Sequence, residues 1–315
     1  MALTIGQIAA ASFPKVLADN KKGYDQWSDN SGLQELEKQG GIHKEALGEN
    51  IEVALDYRSN PDTAVMASDQ DESTLLNTEM LTAAVYDIAQ ARTGVVWTMA
   101  EEVKNASEAQ KVNLVKQKLE NAITSHDNLF ESMIFTTSTA GGVEWNGLDT
   151  LIPTSGQGSP GGVPATTEAF WRNYADIYTD ASDIEAALQT AWSEVLRGSN
   201  STFAPSILLS GNTPWNLFAS NVQGKQMVMM DTNDAKAGIK TIAFNNARWT
   251  FSQYGGNNIY MFNPKNTYLT VSKNAFRKQL PTQPVPGQTA WYFFIYSAGQ
   301  FLTTNKSRTA VLSLG

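Results

Sequence analysis

The chain has 315 residues, 42% hydrophobic and 17% charged, a balance that builds a sizeable folded core and excludes a disordered polymer. Its formal charge of −8 argues against a general nucleic-acid binder, which needs a basic face to neutralise phosphates, but does not exclude a container whose wall must not grip its contents. With no cysteine there can be no disulfide, thiolate nucleophile or cysteine-ligated zinc, and two histidines, His43 and His126, are too few for a histidine-rich metal site.

Residues 1–40 are polar and mixed, and read as an arm that packs on something else. Within it Leu33 and Leu36, flanked by Glu35, Glu37 and Lys38, predict one short helix. No Lys or Arg precedes Lys15, so the start does not read as a secretory signal, and no apolar run approaches membrane-spanning length. After Gly40-Gly41 the pattern turns to period two. Ile51, Val53, Leu55 and Tyr57 face one way and Glu52, Ala54, Asp56 and Arg58 the other, a half-buried strand that stops at Pro61. An irregular acidic stretch with Asp69, Asp71 and Glu72 follows, and then a β-prone run from Thr82 to Met99. Together these predict an extended two-stranded hairpin with a polar tip, whose apolar stripe needs a cover because an isolated hairpin is marginal in water.

Ser107 and Gln110 have capping-box spacing and open a helix over 107–135. Val112, Val115, Leu119, Ala122, Ile123, His126, Phe130, Met133 and Ile134 form its apolar stripe. A Gly/Ser/Thr/Pro-rich stretch over 136–165 comes next, and then a helix capped at Ser182 with Glu185 three residues on. Pro205 to Ser210 reads as a buried strand, and Thr213-Pro214 as a helix start. Strands are expected at Thr241–Asn245, Arg248–Gln253, Ile259–Asn263 and Tyr268–Ser272. Beyond a proline-rich connection, a last hairpin is expected through Trp291–Tyr296 and Phe301–Thr304. Helix and strand runs are segregated, which predicts an α+β fold.

Motifs for chemistry are weak. Gly156-Gln157-Gly158-Ser159-Pro160-Gly161 fits the dinucleotide glycine pattern, but Gly162, Val163 and Pro164 follow where a helix must begin, so a flexible loop is the better reading. Asp231, Asn233 and Asp234 start a calcium-type loop, but Lys236 stands where glycine is required. Glu101 and Glu102 are adjacent and make a poor acid–base pair, and His126 on an apolar stripe reads as a satisfied core or interface histidine. Lys306 and Arg308 read as surface bases. Neither a catalytic residue, a cofactor nor a metal site is expected.

An extended hairpin, a long helix, a mixed domain and closing strands, taken in that order, resemble the major capsid proteins of tailed bacteriophages. Local segments carry the resemblance too: Tyr86-Asp87-Ile88-Ala89-Gln90 leading to Glu101-Glu102, Asn146-Gly147-Leu148-Asp149-Thr150-Leu151-Ile152-Pro153, Phe170-Trp171-Arg172-Asn173, and Asn305-Lys306-Ser307-Arg308 before Val311-Leu312. The resemblance implies an HK97-like fold, with an N-terminal arm over 1–40, an extended loop over 41–100, a peripheral domain over 101–174 and an axial domain over 175–280. Residues 281–315 would be return strands of the peripheral domain. It implies pentamers and hexamers closing into an icosahedral shell around double-stranded DNA, built in the host cytoplasm as part of a virion. Its partners would be other copies of itself, portal and scaffolding proteins, and decoration proteins. The hairpin residues Ile51, Val53, Leu55, Tyr57, Tyr86 and Ile88 are the expected assembly interface. Between Lys44 and Lys104 there is no lysine, so the tip of the loop cannot supply the nucleophile of the covalent cross-link that some relatives make. The arm is too short for a fused scaffolding segment, which implies a separate or already removed scaffold. A bacterial encapsulin-like compartment is the alternative within the same fold; a soluble hydrolase using carboxylates is the alternative outside it.

Overall fold

The computed structural model describes residues 31–57, 63, 79–104, 108–140, 143–180, 182–196, 204–224 and 242–315. The first thirty residues, the acidic stretch with Asp69, Asp71 and Glu72, the cap at Ser107 and the run Asp231–Asp234 lie outside them.

Two six-stranded sheets carry the molecule. The first contains Ile42–Glu45, Thr267–Ser272, Ala290–Thr303, Lys278–Gln279, Gln283–Pro284 and Ala89–Thr98. The second runs in the order Tyr174–Tyr178, Ala310–Leu314, Ile259–Phe262, Ile207–Ser210, Ala247–Phe251, Ile242–Phe244. Mixed sheets with helices packed on them make the fold α+β, as the segregated pattern predicts.

The long helix spans Glu108–Phe135, 28 residues or about 40 Å. Every described residue of its expected stripe is buried, from Val115 and Leu119 to Met133 and Ile134. Its first half lies on the first sheet through Val115, Leu119, Ala122 and Ile123, which meet Val95, Trp97, Phe293 and Ile295. Its second half enters the main core through Phe130, Met133, Ile134 and Phe135. At about 1.5–3 kcal/mol per large apolar side chain, this burial rather than helix propensity holds the element in place. The six-residue helix Met99–Lys104 begins with reciprocal capping, since Thr98 N donates to Glu101 Oε2 at 3.0 Å and Glu101 N to Thr98 Oγ1 at 3.3 Å. Lys118 of the long helix then joins Glu101 at 2.7 Å and Val96 O at 2.9 Å, blunting that end of the edge strand.

The short helix Ser31–Lys38 forms as expected, and it is covered by its own chain. Leu33 and Leu36 are buried in the main core. The Glu131 carboxylate, from the long helix, accepts the Gly32 and Leu33 amides at 2.9 and 2.6 Å. That satisfies two of the helix's orphan donors and sets an anion at its positive end.

Three expectations need correction. The run Thr82–Met99 is two strands, Leu81–Asp87 and Ala89–Thr98, and only the first pairs in the hairpin with Asn50–Asp56. The second pairs with Ala290–Gly299 in the first sheet, as Ile42–Glu45 does with Leu269–Ser272. The expected final hairpin is one continuous strand, Ala290–Thr303; its antiparallel partners are Thr267–Val271, Lys278–Gln279 and Gln283–Pro284. Ala310–Leu314 sits inside the second sheet, between Tyr174–Tyr178 and Ile259–Met261. Finally, the helix Ile184–Leu196 is capped by Asp180, whose Oδ1 accepts the Ser182 and Asp183 amides at 2.8 and 3.1 Å, and not by Ser182. Those bonds favour the carboxylate and lower the Asp180 pKa.

Candidate assembly interface

The hairpin has two unlike faces. Its antiparallel register sets Ile51 opposite Tyr86, Val53 opposite Ala84 and Leu55 opposite Thr82. Leu55, Ala84 and Tyr86 are buried, while Ile51, Val53, Tyr57 and Ile88 are half-buried. The cover expected from a neighbouring copy comes from this chain itself. The glycine-rich loop lies across the stripe, with Gly161 against Ala84 and Tyr86, and Phe170 stacks on Tyr57 at 4.9 Å. Trp171 Nε1 donates to Pro160 O at 3.1 Å and Arg172 Nε to Ala165 O at 2.8 Å, holding the loop in shape. The glycine pattern that resembles a cofactor loop is thus a clamp. Gly156, Gly158, Gly161 and Gly162 all adopt positive φ, the backbone that lets it fold tightly over the hairpin.

Polar contacts fix the root of the hairpin. Tyr86 Oη donates to Thr303 O at 2.9 Å, and burial pushes its phenol pKa up. Gln300, buried in the first sheet, donates from Nε2 to Asp87 O at 2.8 Å and to Glu144 O at 2.7 Å, and accepts the Asn146 amide at 3.0 Å on Oε1. Lys306 is not a surface base. Its side chain is buried beneath the clamp, its ammonium donates to Gln157 O at 3.1 Å, and desolvation pulls its pKa down to about 8. Arg308 donates from Nη1 to Val195 O at 2.9 Å, tying the same turn to the helix Ile184–Leu196.

The outer face of the hairpin is exposed. Leu81 and Val85 are 71% and 41% accessible, and lie with Ala83 in a row beside Glu52, Ala54 and Asp56. A second exposed apolar group, Val96, Met99 and Val103, lies at the far end of the first sheet and on the short helix after it. Neither sequence motif nor period points to these residues as a pair of patches; the topology leaves them uncovered.

Chemistry finds little support. His126 is buried and bonded at both ring nitrogens, and His43 stacks on Tyr268 at 4.0 Å. Among the described residues no group of three or more His, Asp and Glu is placed to hold a metal. A concavity of about 1100 Å³ is lined by Gln39, His43, Trp192, Asn245, Asn263 and Lys265 among others. No described helix is long and apolar enough to cross a membrane.

The sequence matches no family model and no curated protein. Solved structures do match. The capsid asymmetric unit of cyanophage A-1(L) is similar with a TM-score of 0.59 at 12% identity, over 93% of this chain and 94% of that one. The capsid of Myoviridae phage XM1 is similar with a TM-score of 0.57 at 11% identity, over 94% and 95%. The SrpI encapsulin of Synechococcus elongatus gives a TM-score of 0.59 at 10% identity, over 99% and 96%. The chain therefore has the fold of tailed-phage capsid subunits, the HK97-like fold, which it shares with encapsulin shells.

Proposed function

We propose that this chain is a shell-forming major capsid protein, a structural subunit and not an enzyme. Copies would assemble as pentamers and hexamers into an icosahedral shell around the double-stranded DNA of a tailed phage, in the cytoplasm of its host. The observation that carries this reading is likeness to phage capsid subunits along 93–94% of the chain, which leaves little room for a separate catalytic domain. Portal, scaffolding and decoration proteins would be its other partners.

The physical reading assigns the assembly contact to the hairpin's outer face. Ile51, Val53, Leu55, Tyr57, Tyr86 and Ile88 shape the hairpin from within, and Leu81, Ala83 and Val85 present it outward. Leu81 at 71% exposure and Val103 at 70% are large apolar groups in the open, and a neighbour's patch can cover each. Joining two different patches gives a head-to-tail contact, which closes into rings when the rotation permits.

Expression of the chain followed by negative-stain microscopy and sedimentation tests the proposal. Closed particles are expected; a stable monomer or small oligomer under all assembly conditions overturns it. Nuclease-protected DNA in particles from infected or induced cells supports the phage role, while a co-purifying cargo enzyme with no DNA points to the encapsulin-like role instead.

A further inference from the structure

A buried polar cluster lies where the long helix crosses the strands Ala89–Thr98 and Ala290–Thr303, away from the proposed assembly contact. His126 Nδ1 is 3.0 Å from Thr93 Oγ1, and its Nε2 is 2.9 Å from Ser297 Oγ. Ser297 Oγ also accepts the Arg277 amide at 2.8 Å. The neutral ring carries one proton, so it donates at one nitrogen and accepts at the other, and the two hydroxyls take the complementary roles. Arg277 Nη2 approaches Asp127 Oδ1 at 2.7 Å, and Arg277 itself adopts a φ of 49°, the left-handed region that a non-glycine residue rarely enters. One imidazole thus joins one helix to two strands.

We propose that His126 is an acid-operated latch: its neutral ring fastens the long helix to both strands, and a second ring proton releases that fastening. An imidazolium donates from both nitrogens, so the hydroxyl that had donated to the neutral ring must turn its own hydrogen away. The new cation would also be enclosed at 1% exposure beside Arg277. The charged groups around the ring are few. The helix brings Asp127, already held by Arg277. The 273–277 turn brings Arg277, whose charge acts on His126, and the short helix brings Glu37, whose charge acts on Asp127. Lys44 of the strand Ile42–Glu45 is directed over Phe276, and Arg92 over Phe294.

Burial, with a smaller contribution from Arg277, lowers the His126 pKa to about 4. The sign follows: with the folded value below the unfolded one of about 6.5, the latch contributes fully above about 6.5 and fades as pH falls through about 4. Burial raises the Asp127 pKa, opposed by Arg277, so acid removes the cluster's anion while it adds a cation.

Exchange of the imidazole C2 hydrogen, read by mass spectrometry across a pH series, reports the two histidines separately in the intact protein, assembled or not. His126 is expected to titrate about two pH units below a free histidine, together with loss of near-ultraviolet circular dichroism. In His126→Gln, which keeps hydrogen-bonding groups but cannot charge, the acid midpoint of that loss should move down by at least about half a pH unit. Ser297→Ala removes the hydroxyl partner of Nε2 without touching the ring and should shift the His126 midpoint; it serves where the glutamine variant fails to fold. A His126 midpoint of about 6 or above in the wild-type chain, or a Ser297→Ala chain in which neither the His126 midpoint nor the acid transition moves, overturns the latch.

Discussion

Gly161 and Ala84 meet so closely that a Cβ added to Gly161 would stand 2.6 Å from the Ala84 Cβ. Gly161 also adopts a φ of 66°, so the position rejects a side chain twice, by contact and by conformation. The clamp and the hairpin are one packed unit. Gly161→Val should lower unfolding free energy by about 2–4 kcal/mol and speed proteolysis within the hairpin. Denaturant unfolding and timed trypsin digestion check it; an unchanged midpoint refutes the close fit.

Glu131 serves the short helix across 98 to 99 residues of sequence. Glu131→Ala would leave two buried amides without an acceptor, at about 2–4 kcal/mol, whereas Glu131→Gln retains one acceptor oxygen and should lose less. The difference between the two in urea unfolding is the informative quantity. Equal losses would mean that packing, and not capping, dominates there.

Lys306 is the case where an ion is buried at a net penalty. Its folded pKa of about 8 lies below the ordinary 10.5, so the folded state binds the proton less tightly than the unfolded one. Stability should therefore be greatest above 10.5, fall as pH drops from 10.5 to 8, and stay level below that. Lys306→Met fills similar space with no charge, and should gain about 1–3 kcal/mol at neutral pH while losing the slope between pH 8 and 10.5. Thermal melts of both chains across that range decide it.

The outer hairpin face separates folding from assembly. Leu81→Asp and Val85→Asp replace exposed groups, so each should change monomer stability by no more than about 0.5 kcal/mol. Both should nevertheless abolish or sharply reduce particle formation in sedimentation. Full particle yield from the double variant would move the assembly contact elsewhere.

Local period made some elements readable from the residues. The long helix and the strand through Ile51 to Leu55 repeat one face often enough to fix their type and their buried side. The split at Ile88 was hidden. Buried positions are even-numbered in Leu81–Asp87 (Ala84, Tyr86) and odd-numbered in Ala89–Thr98 (Ala89, Ala91, Val95, Trp97), so inward parity shifts by one residue between them. Small residues at 83, 84, 89 and 91 blur that shift, because alanine suits either face. Gly299 misleads in another way. It suggests a turn after Ala298, yet its absent side chain lets the strand approach Thr270, whose carbonyl oxygen would stand 2.3 Å from an added Cβ.

The polar contacts that organise the site had no local signature at all. Gln300 reaches Asp87 and Glu144 across 213 and 156 residues, and Lys306 reaches Gln157 across 149. Spacing rules read neighbours along a helix or strand, and none spans such distances. A basic pair near Arg308 therefore looked like solvent-facing surface, although the turn that carries it runs under the clamp.

The strand Ala310–Leu314 sets a schedule for how the protein comes into being. It lies between partners that begin at residues 174 and 259, so on a ribosome the second sheet stays open until residue 314 has left the exit tunnel. Such distant pairing slows folding, and it keeps a half-made chain from presenting a finished surface to its siblings. Under the proposed shell-forming role, this late closure disfavours polymerisation before synthesis ends.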